Sequence, residues 1–142
     1  MMNFSIQDQN QLVSIYISGY ENKNALDVSD ANWLSCRVRL KTDFFTGEFN
    51  ADLTTDDFLY FYEELEPLLK ALEGTASFQT DEGWLEVKVK SIGLGKFSVA
   101  VVANPLSTSK SKLSFNFEVD QTYLSKTRSE LKKIVTEYPV IT

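Results

Sequence analysis

Histidine is missing from this 142-residue chain, and cysteine occurs once, as Cys36. The first absence removes the side chain that most often serves as a general base near neutral pH, which is also the commonest transition-metal ligand. A zinc site would then have to be built from carboxylates, so no metal or other cofactor is expected. A single thiol excludes an intrachain disulfide, which fits a reducing compartment. No stretch comes near the roughly 18 consecutive apolar residues of a membrane helix. The opening MMNFSIQDQN has neither a basic n-region nor an apolar run, so no secretory leader is expected there. These absences point to a soluble, cytoplasmic protein that makes no membrane contact, and they argue against an enzyme.

What is present is negative charge, unevenly spread. From Asp43 to Glu86 there are twelve acidic residues and one base, Lys70, whereas the remainder carries eight acids and thirteen bases. An acidic face attracts basic partners and speeds encounter with them. It works against direct nucleic-acid binding, which needs Lys and Arg on the phosphates. The 43% hydrophobic and 24% charged content is that of an ordinary folded protein, and 142 residues suit a single domain spanning 1–142.

Apolar residues alternate in several segments, as strands buried on one face require. Val13, Ile15 and Ile17 form one row, and Leu34, Cys36, Val38 and Leu40 a second. Phe45, Gly47, Phe49, Ala51 and Leu53 form a third, joined to the second by a turn at Thr42 and Asp43. The period then becomes helical. Phe58, Phe61, Leu65, Leu68, Leu69 and Leu72 make one stripe, with Thr54 or Thr55 as cap, Asp56 and Asp57 at the positive end and Gly74 as stop. Pro67 inside this helix predicts a kink. Strand periodicity returns over 76–79, 85–90, 97–103 and 113–119, with a polar loop over 104–112, and a second helix is expected over 122–138. The order is roughly β4-α-β4-α. It implies an α+β fold: a curved antiparallel sheet or open barrel of about eight strands with two packed helices.

The run Ser29-Asp30-Ala31-Asn32-Trp33-Leu34, then Phe49, a Leu-rich helix over 57–72 and Glu73-Gly74-Thr75-Ala76 resemble the WapI-type immunity proteins of bacterial polymorphic and contact-dependent toxin systems. In that family an Asn-Trp pair opens a strand, a Leu-rich helix ends in Gly plus a small residue, and an acid precedes the next strand. The matching positions are Asn32, Trp33, Leu65, Leu68, Leu72, Gly74, Ala76 and Glu82 or Glu86. Pro67 and the long loop over 21–30 depart from the pattern. The resemblance implies a cytoplasmic protein that binds and neutralises a cognate toxin domain, often a nuclease.

A nuclease carries a basic groove for its substrate, and an acidic protein can occupy it. The residues expected to do so are Glu48, Asp56, Asp57, Glu63 and Glu66, with Trp33 as an anchor. Asp56 and Asp57 also suit a helix start, and Glu63 and Glu64 diverge at adjacent positions. One rival is a carrier of a small apolar ligand, suggested by the aromatic content of 13%. Another is a carboxylate-based enzyme, for which Glu63 and Glu66 are the only pair to nominate. Cys36, on the apolar side of its strand, reads as a buried inert thiol. Gly93-Leu94-Gly95 lacks the context of a nucleotide site and reads as a turn. Arg37, Arg39 and Lys41 form a basic row that paired strands would set near acids.

Overall fold

Pairing follows from the alternation. In the computed structural model, which describes residues 1–105 and 111–142, β1 (Met2–Gln7), β2 (Leu12–Tyr20), β3 (Trp33–Lys41) and β4 (Thr46–Thr54) form one antiparallel sheet in chain order. β5 (Thr75–Gln79), β6 (Leu85–Gly93), β7 (Lys96–Ala103) and β8 (Leu113–Asp120) form a second. The expected α+β order is therefore present, as two four-stranded sheets that do not close into a barrel. Most of the polar loop expected over 104–112 lies outside the described residues. β1 escapes the periodicity because its apolar row is short, with Phe4 and Ile6 alone fully buried.

Helix α2 (Thr55–Ala71) begins at a capping box. Thr54 Oγ1 accepts the Asp57 N–H and the Asp57 carboxylate accepts the Thr54 N–H. Helical structure continues through Pro67, which lies on the exposed side, where water can serve the carbonyl it leaves unpaired. Leu72, at φ +56°, rather than Gly74, takes the left-handed turn that ends the helix. Within the expected loop over 21–30 the chain forms a single helical turn, α1 (Val28–Ala31), capped by Asp27. Helix α3 (Gln121–Glu137) is capped by Asp120.

Each strand–strand–strand–strand–helix unit gives its helix to the other. α2 packs along β5 and α3 along β1, the first strand of the opposite unit. The match extends to single bonds: Glu64 of α2 accepts the Ser77 N–H of β5 (2.7 Å), and Glu130 of α3 accepts the Ser5 N–H of β1 (3.1 Å). An outward amide of each first strand is thus capped by a carboxylate. The two sheets meet in one core, where Phe4, Phe58, Phe61 and Phe78 touch with ring centroids 5.5 to 6.0 Å apart. These four fully buried rings are packed core.

Candidate functional site

The sequence pair Asn32-Trp33 sits where α1 hands over to β3, and the two residues do different work. Asn32 is buried at 5% exposure and uses its whole carboxamide. Nδ2 donates to the Val28 and Ile141 carbonyls (both 2.9 Å), while Oδ1 accepts from Thr55 Oγ1 (2.6 Å) and the Ile141 N–H (2.8 Å). It thereby ties together α1, the start of α2 and the C-terminal segment. Tyr20 also holds that segment, its hydroxyl donating to the Pro139 carbonyl (3.1 Å) and its ring meeting Tyr138 edge-on. Trp33, one residue on, is only half-buried and lines a cleft of about 330 Å³ together with Thr54, Asp56, Asp81 and the C-terminal Val140 to Thr142.

Acids gather around this cleft. Asp56 and Asp81 line it. Glu21 donates its N–H to the Trp33 carbonyl (3.0 Å). The Glu21 carboxyl is hydrogen-bonded to Asp52, and this contact, with desolvation and the negative charge of Asp52, pushes it up to about 7. Glu82 adds to the same negative field and accepts the Trp84 indole N–H at 2.7 Å. Trp33 therefore shares its cleft with Asp56 and Asp81, and Glu21, beside Asp52, is bonded to its carbonyl. Among the described residues no three His, Cys, Asp or Glu side chains converge to hold a metal ion.

Of the six residues nominated from sequence, Trp33 and Asp56 share this cleft. Glu63 is exposed further along α2, on the face that carries Asp56 and the 60% exposed Tyr60. Glu48 lies mid-strand on β4 and is engaged by Arg37 (3.0 Å) and Arg39 (3.9 Å), so the basic row of β3 does meet an acid. Glu66 is held by Arg128 at 3.8 Å, which leaves Glu63 and Glu66 in different surroundings. Asp57 is buried at 5% exposure in the capping box and serves the helix. Sequence reading singled out Glu82 only as a position of the family pattern, and passed over Asp52 and Asp81, which lay in the acidic run without a reason to be preferred. Glu21 lay outside it and carried no signal. Cys36 is buried on the inner face of β3, and burial pushes its thiol well up, as an inert thiol requires.

Asp57 gives a pH prediction. Burial pushes its carboxyl up to about 6 against the pull of the Thr54 hydrogen bonds, with Asp81 and Asp56 adding repulsion. Between about pH 4 and pH 6 the native state keeps a proton that the unfolded chain has released, so this group's contribution to stability falls as pH rises through that window. Above it the contribution is flat. Relative to Asp57→Asn, the wild type should lose on the order of 2–3 kcal/mol between those limits in urea unfolding. A difference that stays constant with pH would refute this.

No helix among the described residues is long and apolar enough to cross a membrane. No curated protein sequence matches this chain. Its backbone is similar to that in crystal structures of Trypanosoma brucei MRP1/MRP2, with 7% identity, a TM-score of 0.52, and 96% of this chain and 83% of that one covered. Arabidopsis thaliana WHY3 aligns at 14% identity and a TM-score of 0.49, covering 97% of this chain and 88% of that one. At such identities the first likeness speaks for the fold alone. Residues 3–139 match the profile of the immunity protein WapI-like family, which takes in every element of both sheets, Asn32 and Trp33, and all three helices. The chain belongs to the WapI-like immunity protein family.

Proposed function

We propose that this protein binds a basic toxin domain, of the nuclease kind, through the Trp33 cleft and the adjoining acidic face of α2, and neutralises it without catalysis. Membership of an immunity family over residues 3–139 carries the reading. Asp56 and Asp81 in the cleft of an incompletely buried Trp, with the interacting Glu21 and Asp52 beside it, support the route. Trp is favoured at interface centres, and a rim of like charge selects a partner of opposite sign. Tyr60 and Glu63 extend the face along α2.

Growth rescue tests it. The toxin-like domain encoded beside this gene is expressed with wild type, with Trp33→Ala, or with a variant carrying Asp52→Asn, Asp56→Asn, Asp81→Asn and Glu82→Gln. Wild type should restore growth, and both variants, shown folded by circular dichroism, should fail. Association with the purified toxin domain should slow by about tenfold or more from low to high salt, since steering is screened. Rescue by both variants would discard this site, and no rescue by wild type would discard the reading.

A further inference from the structure

The two sheets have four outer strands, and their edges are treated differently. β1 and β5 are covered by the helices and by the Glu130 and Glu64 carboxylates. β4 is not. The Thr42 N–H donates to the Phe45 carbonyl (2.8 Å) at one end of the β3–β4 ladder, and the Thr55 N–H to the Asn32 carbonyl (3.0 Å) at the other. With the register Leu40↔Gly47, Val38↔Phe49 and Cys36↔Ala51, these are the pairs that exchange backbone bonds. The N–H and C=O groups of Thr46, Glu48, Asn50 and Asp52 therefore point away from β3. The Thr54 N–H follows the same sense, leaving the sheet for Asp57 Oδ2. Among the described residues no backbone group pairs with the four in between.

Natural sheets protect such an edge. β4 instead offers a gap beside it. A Cβ added to Gly47 would meet no atom within 4 Å, and the same face carries Phe45 at 65% exposure and the partly buried Phe49. Glycine in a strand marks a place where another backbone can approach. On the other face Glu48 and Asp52 set the charge. Glu48 is shared with Arg37 and Arg39, while Asp52, which lines a hollow with Arg37 and Asn50, makes no salt bridge among the described residues and lies beside Glu21. A second copy fits poorly, because β4 paired antiparallel with itself about Asn50 sets Glu48 against Asp52, and about Glu48 sets that residue against itself. The edge also runs on to the Trp33 cleft, since Thr54 pairs with Trp33.

We propose that the open edge of β4 accepts an extended segment of the toxin domain. This fifth strand places an apolar side chain over Gly47 between Phe45 and Phe49, and Lys or Arg on the face of Glu48 and Asp52. The identity of the partner rests on the reading above; the mode of binding rests on the edge.

Three variants test it with the purified toxin domain. Gly47→Val fills the notch with a good strand former, and Asn50→Pro deletes an outward N–H that the fold itself does not use. Asn116→Pro makes the equivalent change on β8, where the Gln121 N–H to Gly95 carbonyl bond sets the same alternation. The first two should keep the wild-type melting temperature within a few degrees and weaken the complex by roughly tenfold or more, and the third should leave it unchanged. The amides of Glu48, Asn50 and Asp52 should exchange at least about tenfold more slowly in the wild-type complex than in the free protein. A complex in which these amides exchange as before, or in which Gly47→Val and Asn50→Pro bind like wild type, overturns the inference. If Trp33→Ala abolishes that same complex, the toxin-binding reading survives without the edge. Absence of any wild-type complex removes both.

Discussion

Phe78→Ala should lower the unfolding free energy by about 3–5 kcal/mol, the usual cost of removing a fully buried aromatic ring. Phe78 is 0% exposed and meets Phe4, Phe58 and Phe61, so its ring touches β1 and α2 from β5 and joins the two sheets. Its removal takes three ring–ring contacts at once, and the neighbouring strands are held by ladders that cannot collapse into the space. Phe44→Ala, at an 89% exposed position on the β3–β4 turn, should change stability by no more than about 0.5 kcal/mol. Urea unfolding at constant m-value makes the comparison. A Phe78→Ala cost under about 1.5 kcal/mol would mean that the four rings do not form the structural centre.

Asn32→Ala should cost about 2–4 kcal/mol and free the C-terminal segment from the cleft, since several buried polar groups lose their partner together. The Thr55 hydroxyl, the Ile141 N–H, and the carbonyls of Ile141 and Val28 all depend on this one carboxamide. Alanine offers none of its four bonds, and the adjoining cleft can supply water to only part of the set. The amide of Ile141 reports the effect directly. In the variant it should exchange at close to the free-chain rate while the amides of β6 and β7 remain protected. An Ile141 amide still protected in a variant of near wild-type stability would show that Tyr20 alone anchors the segment. Because Asn32 fixes the backbone from which Trp33 projects, the variant should also bind the toxin domain more weakly.

Much of the fold was legible because burial imposes periods. The alternation of Leu34, Cys36, Val38 and Leu40 against Arg37 and Arg39, and the helical stripe from Phe58 to Leu69, are burial patterns written directly into the chain. What periodicity cannot reach is pairing between distant segments. Asp56 and Asp81 of the Trp33 cleft, and Glu21 with Asp52, are brought together by register and by loops, and none stands out in its local surroundings. Asp57 misleads for the opposite reason. Adjacent to Asp56 in a strongly acidic run, it looks like surface, yet the capping box turns its side chain inward. The likeness of the two halves showed in the order of elements alone, because at the level of residues it resides in Glu64 with Ser77 and Glu130 with Ser5, pairs defined only once the helices have crossed over.

That exchange of helices has a consequence for synthesis. β1 leaves the ribosome well before the carboxylate that caps its Ser5 amide, which lies 125 residues further on in α3. Until then the first sheet has two uncovered borders, although Phe78 of β5 has already joined Phe4, Phe58 and Phe61. The N-terminal sheet therefore gains the cover of its β1 edge only once α3 has been made. Chains cut short of α3 should expose the β1 edge that Glu130 otherwise caps, and should aggregate more readily than the full sequence.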